Sequence, residues 1–417
     1  MDLSVWSGPH GGAVVTTPFR SVAYPTRVLS GPDAVEHLGA EARRLGCSRA
    51  FVVSGRSTGS DHANRGRIVA ALGGALAGWY AGIEKDSTYR SVSEATAEAR
   101  AASADMIVAV GGGSVIVGAR AVAIFLAEAG DPFELMTQYP KGQPAVSPRL
   151  EAPKPPIINV VTTPNTAMNR AGTGLKNDDL DHRMEYFDPK TRPVAIIWDD
   201  DLIMATPPEV YRSTATTIFN GAVMGLGSAS RNPLVEGDRL QSFRLAVSAY
   251  PMIGTEGDGA DSRMDLMIVA FLSNRIGDVT DLRTGRGRPD PRGRAYALAT
   301  ALHLRYHGVG QGEATAMINP TVLERYPPAI ESLRPVATGL DLGLDDASAG
   351  DCAEAIAGAL RSIYRSAGMP TRLRDLDVPR EDLDLIAADT QKNFNANPGM
   401  RDQDEVSEMR AILEAAW

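Results

Sequence analysis

Asp105-Met-Ile-Val-Ala-Val-Gly-Gly-Gly-Ser114 is the stretch on which the fold turns. Met106–Val110 is apolar without alternation, as expected of a strand covered on both faces in a parallel sheet. It runs directly into Gly111, Gly112, Gly113 and Ser114, and Val115–Leu126 continues as a mostly apolar helix. Glycines let the backbone approach a ligand closely, and the free N–H groups opening a helix attract a pyrophosphate. The run is neither the GxGxxG dinucleotide fingerprint nor a Walker loop, since no Lys-Ser/Thr follows. A tight strand-to-helix turn without a ligand is the other reading of these residues.

Outward from this turn, strands and helices alternate. Arg49–Ser54 reads as a strand entering the loop Gly55–Ser60. Ile68–Leu76 has helical spacing, Ser91–Ala104 is an Ala/Glu-rich helix, and Ile157–Val161 and Val194–Trp198 are further buried strands. Such alternation predicts a parallel sheet with helices on both faces and a ligand beyond the carboxyl ends of its strands. From about Pro207 the segments become long and helical, with Asp188-Pro189, Pro193 and Pro207-Pro208 at the junction. The expected fold is therefore a Rossmann-like α/β nucleotide-binding domain over residues 1–200 and an all-helical C-terminal domain over 201–417. Tyr139–Pro156 holds six prolines and is expected as an extended surface connection. Asp281–Arg294 contains five arginines.

Composition removes several function classes. The 417 residues carry 51 acidic and 42 basic side chains, a net charge of −9, against nucleic-acid binding. With 43% hydrophobic and 22% charged residues the chain is globular. Cys47 and Cys352 stand far apart, so a reduced, cytoplasmic protein without structural zinc is expected. No apolar run approaches the roughly 20 residues of a membrane span, and Met1–Thr17 shows no secretory pattern.

With these landmarks in order, the chain resembles the iron-containing alcohol dehydrogenase superfamily, and within it the maleylacetate reductase branch. Besides the glycine turn, Val161-Thr162-Thr163-Pro164 and Phe187-Asp188-Pro189 carry the likeness. So do Pro193-Val-Ala-Ile-Ile-Trp-Asp199 and Gly312-Glu313-Ala314 through Asn319-Pro320. The resemblance implies NAD(P) and substrate in a cleft between the two domains, and most members use a divalent metal to polarise the substrate oxygen. It assigns Gly111, Gly112, Gly113 and Ser114 to the pyrophosphate, Thr162 and Thr163 to the nicotinamide ribose, and Arg183 to a position near the cofactor. After the first strand, NAD-preferring relatives carry an acid where this chain has Ser54-Gly55-Arg56-Ser57. NADPH is accordingly expected to bind at least as well as NADH, with Gly55, Arg56 and Ser57 at the adenosine end.

The metal site is where the sequence departs from its relatives. The family's Asp-x-x-x-His falls on Ser213–Leu226 and reads Thr217 and Gly221, with Met224 at a family Glu. The two later histidine ligands read Ala297 and Gln311, and a further family His is Ala301. Ala and Gly side chains have no donor atom, and Thr with Gln makes a poor zinc or iron site, so no catalytic metal is expected. Pro164-Asn-Thr-Ala-Met-Asn-Arg170 likewise replaces a Gly-Thr-Gly-Ser-Glu-like run, and Val117 and Arg120 replace a family Asp and Lys.

Replacement chemistry is expected from His307 as acid/base and from Asn220 and Gln311 as neutral donors to the substrate oxygen. His303 and His307 at i, i+4 can also share a helix face, as a substitute metal pair or as a helix-end pair. Arg283 and Arg286, within the arginine-rich loop, are candidates for a carboxylate, of a small molecule or a peptide terminus; a charged solvated loop is the alternative. The resulting reading is a metal-independent, NAD(P)-dependent oxidoreductase of a carbonyl/alcohol pair in a specialised biosynthetic or degradative pathway. A homodimer is implied by the family, and neither nucleic acid nor membrane is expected as partner. Two other readings stay open: a catalytically silent nucleotide-binding regulator or scaffold, and redox-neutral or lyase chemistry as in dehydroquinate synthase-like enzymes.

Overall fold

A computed structural model of the chain describes residues 18–140, 143, 145–180, 182–228, 232–281, 291–344, 346–391 and 403–417. Its first half contains β1 (Phe19–Ser21), β2 (Arg27–Gly31), α1 (Leu38–Arg44), β3 (Ala50–Ser54), α2 (Arg56–Ser60) and α3 (His62–Leu72). There follow β4 (Leu76–Tyr80), α4 (Tyr89–Ala101), β5 (Met106–Gly111), α5 (Gly113–Ala127) and α6 (Pro132–Leu135). Then come β6 (Ile157–Val161), β7 (Gly172–Leu175), β8 (Met184–Phe187) and β9 (Ala195–Asp199).

Six of these strands form one sheet in the order β2-β9-β6-β5-β3-β4, and every pairing in it is parallel. Leaving β3, the chain crosses to β4 on one side. Leaving β5, it crosses to β6 on the other. The order therefore reverses between β3 and β5, and a crevice opens there at their carboxyl ends, where doubly wound sheets bind ligands. Both faces of β5 are sealed. Ile107 and Ala109 pack towards α4 and α5, while Val108 and Val110 join Val52, Ile158 and Ile197 on the opposite face. Burial on both faces is why this strand reads as an unbroken apolar run.

Past Asp199 the chain is almost entirely helical: α7 (Asp200–Met204), α8 (Pro208–Leu226), α9 (Pro233–Ala249) and α10 (Ala260–Ile276). A short β10 (Val279–Asp281) pairs antiparallel with β1, tying the start of the described chain to the helical half. The remaining helices are α11 (Pro291–Arg305), α12 (Gln311–Arg325), α13 (Ile330–Gly339), α14 (Ala349–Ser366), α15 (Leu383–Asp389) and α16 (Gln403–Ala416). One apolar core runs from the α5 face of the sheet into α8, α10 and α14, with the Trp198 and Phe271 rings edge-on at 5.9 Å. A separate cluster of Leu298, Leu302, Met317, Leu383 and Ile412 holds α11, α12, α15 and α16 together.

The α/β and all-helical architecture agrees with the sequence reading, while three local expectations are corrected. The helix expected to reach Leu76 ends at Leu72, because Gly73 adopts φ +50°, and Leu76 instead opens β4. The loop after β3 is the one-turn helix α2. The proline-rich connection does not merely run over the surface. Leu150 is buried, and the fully buried Lys154 ammonium pairs with Glu128 and, at 2.9 Å, with Asp188. The arginine-rich loop falls mostly outside the described residues, Arg283 and Arg286 with it.

Candidate active-site cleft

A cavity of about 2060 Å³ occupies the crevice, walled by the carboxyl ends of the sheet on one side and by α8, α11 and α12 on the other. Its floor is the glycine turn. Gly112 caps α5 in an extended conformation, and a Cβ built on it would lie 2.9 Å from the Thr163 Oγ1 at the end of β6. The turn and the Thr-Thr segment thus approach more closely than any side chain at 112 would allow. Thr163 is 4% exposed, and its hydroxyl has no hydrogen-bond partner among the described residues. An orphaned buried hydroxyl beside free helix N–H groups fits a phosphate or ribose oxygen, so these residues suit the pyrophosphate–ribose stretch of NAD(P). Ser114 Oγ accepts a hydrogen bond from the Asp86 backbone N–H at 3.1 Å, and its carbonyl accepts from Ser87 Oγ at 2.6 Å. These bonds fold the 84–88 segment over the start of α5.

Gly55, Ser57 and Thr162 also line the cleft. Arg56 is exposed and outside the lining, and Asp61 lies nearby with its carboxylate accepting from the Asn64 backbone and side chain. Arg183 lines the cleft and meets His303 of α11, its Nη2 2.9 Å from the imidazole Nε2. Because a guanidinium can only donate, Nε2 must accept, and the ring proton sits on Nδ1, 3.3 Å from Asp86 Oδ1. Burial and the Arg183 charge lower the His303 pKa. Burial raises Asp86, but the His303 hydrogen bond and the Arg183 and Lys85 charges outweigh it and leave its pKa lowered.

This clasp joins the two halves across the cleft, and its pH dependence has one sign. Neutral His303 and ionised Asp86 both favour the folded state. Their contribution is complete above pH 6.5, falls as the pH drops below that value for His303, and falls again below 3.8 for Asp86. In an NMR titration the His303 ring is expected to protonate below pH 6.5, and a midpoint above 6.5 contradicts the assignment.

The structure separates the other nominated residues. Gln311 opens α12 at the cleft, beside Thr217 of α8. Gly312 makes that placement possible: a Cβ there would come 1.7 Å from the Ser213 carbonyl oxygen, so α8 and α12 are in backbone contact. Asn220 lies outside the cleft lining, its Oδ1 accepting from Tyr364 of α14 at 3.0 Å. His307 is exposed in the turn after α11, which ends at Arg305, so the two histidines do not share a helix face. His303, not His307, borders the cleft. Sequence reasoning gave no role to Arg170 or Tyr296, which line the cleft from distant parts of the chain.

The positions assigned to metal ligands supply no such set. Gly221 is exposed on α8, Ala297 is buried, and Thr217 is 3.3 Å from Thr315, hydroxyl to hydroxyl. Among the described residues no group of three His, Cys, Asp or Glu side chains could hold a metal ion. This donor set does not fit a divalent metal.

Comparison with known proteins agrees with this geometry. Residues 25–200 match the family described as iron-containing alcohol dehydrogenase. Maleylacetate reductase 2 of Cupriavidus pinatubonensis is 28% identical over 254 residues, 61% of this chain and 62% of that protein. The 1,3-propanediol dehydrogenase of Klebsiella pneumoniae is 25% identical over 401 residues, 93% of this chain and 96% of its own. A crystal structure of 1,3-propanediol oxidoreductase superposes with a TM-score of 0.80 at 24% identity, covering 96% of this chain and all of that one. Among the described residues no helix is long and apolar enough to cross a membrane.

Proposed function

We propose that this chain, an alcohol dehydrogenase/reductase-like enzyme similar to the iron-containing alcohol dehydrogenases, interconverts a carbonyl and an alcohol with NAD(P) and without a catalytic metal. The observation that carries the proposal is the Thr163 hydroxyl, without a partner among the described residues, facing Gly112 beside the strand-order reversal, opposite a helical wall that holds Thr217 and Gln311 at two of the family's ligand positions. Bound NAD(P) supplies or accepts the hydride. Gly111–Ser114 hold the pyrophosphate through backbone N–H groups, and Thr162 and Thr163 border the nicotinamide ribose. Gln311 and Thr217 face the cleft as neutral donors for the negative charge that develops on the substrate oxygen.

Removing one such donor costs about 2.7–4 kcal/mol of transition-state stabilisation, or about 100- to 1000-fold in kcat. Gln311→Ala is therefore expected to lower kcat by about two orders of magnitude. Its Kd for NADPH should change less than threefold, because Gln311 is assigned to the substrate and not to the cofactor. At the adenosine end, Arg56 is proposed to meet a 2′-phosphate, with NADPH binding at least as well as NADH. A small carbonyl substrate, a homodimer and a cytoplasmic location complete the reading. Fluorescence titration with NADPH and NADH, followed by absorbance at the reduced nicotinamide band across aldehydes and ketones, tests it. Saturable binding with turnover of at least one carbonyl compound is expected. Absence of cofactor binding overturns it.

A further inference from the structure

We propose that the guanidinium of Arg170 is the receptor for a carboxylate carried by the substrate, so that the enzyme acts on carboxylate-bearing aldehydes or ketones. This rests on the carbonyl–alcohol chemistry proposed above. The segment 163–172 that presents Arg170 is bonded to its surroundings along its length. Asn165 Nδ2 donates to the Thr163 carbonyl at 2.8 Å, and its Oδ1 accepts from the Ala167 N–H at 3.0 Å. Asn159 holds the Met168 carbonyl at 2.9 Å, Arg192 the Asn169 carbonyl at 2.8 Å and Thr191 the Ala171 carbonyl at 2.9 Å. Arg120, sealed inside, donates to the carbonyls of Ala167 and Gly172. So many cross-links give a rigid platform for one side chain.

The Arg170 guanidinium itself is left over. It lines the cleft, and among the described residues no hydrogen bond or ion pair engages it. Its Nη2 lies beside Gly277 at the end of α10, 3.6 Å from where a Cβ on that residue would sit. Asp278, the adjacent acid, is held by Arg192 at 2.8 Å. Asp278 thus faces both Arg170 and Arg192, and Arg120 bonds only backbone carbonyls among the described residues, which leaves this end of the cleft with a surplus of positive charge. Arg170 itself is exposed where it lines the cleft. Of the three, Arg120 is 1% exposed and occupied by carbonyls, and Arg192 is paired. Arg170 alone offers an open fork of two parallel N–H groups, and that fork matches a planar carboxylate.

The test pairs two substrates of similar length, succinic semialdehyde and butanal, with calorimetric titration of succinate into the NADP-loaded protein. Wild type is expected to bind succinate and to favour the acid aldehyde in kcat/KM by at least 30-fold. Arg170→Ala should weaken succinate binding by about 30-fold and collapse that preference to within about threefold, and Arg170→Lys should recover part of both. NADPH titration and melting temperature of each variant establish that the cofactor site and fold are intact. Unchanged succinate affinity in Arg170→Ala, or no succinate binding to NADP-loaded wild type, overturns the proposal. If succinate binds through Arg170 and neither aldehyde is turned over, the anion site stands and the carbonyl-reduction reading fails.

Discussion

Arg120→Met is expected to lower the unfolding free energy by about 3–5 kcal/mol, the range for leaving a buried polar network without one of its partners. Arg120 lies on α5 with 1% of its surface exposed, and it joins the start of the nucleotide site to the segment presenting Arg170. Methionine fills much of the same space but donates nothing, so the Ala167 and Gly172 carbonyls lose the partner that Arg120 supplies. Burial, reinforced by the Arg170 and Arg192 charges, pushes the Arg120 pKa down to about 9. The strain of holding this cation makes the loss smaller than the hydrogen bonds alone imply. Urea denaturation of both proteins with equal m-values reads the difference directly. A change below about 1 kcal/mol shows that the carbonyls find other partners.

Gly112→Val is expected to raise the Kd for NADPH by about 100-fold, with some loss of melting temperature from the contact with Thr163. The backbone at 112, φ −84° and ψ −165°, is open to any residue, so the substitution strains no backbone dihedral. What changes is the space. A Cβ at 112 comes 2.9 Å from Thr163 Oγ1, and the valine methyls extend over the helix start where phosphate oxygens approach the N–H groups. Fluorescence titration checks it, and an unchanged Kd in the folded variant removes Gly112 from the cofactor site.

The glycine turn was legible in sequence because its signal is local: an apolar strand, three glycines and a helix within some twenty residues. β4 was not. Leu76–Tyr80 is a sheet-edge strand, partly exposed along most of its length, so it shows neither a buried apolar run nor clean alternation. Lys154 gave no sign of burial either, since its partners Glu128 and Asp188 lie 26 and 34 residues away. The site divided along the same line. Gly111–Ser114 and Thr163 come together because adjacent parallel strands place their ends side by side. The choice between His303 and His307 depended on α11 ending at Arg305, two residues short of His307. A cluster of arginines in sequence drew attention to residues 283–294. The guanidinium cluster of the cleft is instead assembled from Arg120, Arg170 and Arg192, which only the tertiary fold brings together.

Hydride transfer without a metal is open to a direct test. Protein dialysed against a chelator and verified metal-free by plasma mass spectrometry, then mixed with NADPH and the best carbonyl substrate, gives the direct measurement. Turnover within twofold of the untreated enzyme, with no gain from added Zn²⁺ or Fe²⁺, is the predicted result. Loss of activity on metal removal and its return with one equivalent of either ion would show instead that the enzyme needs a metal.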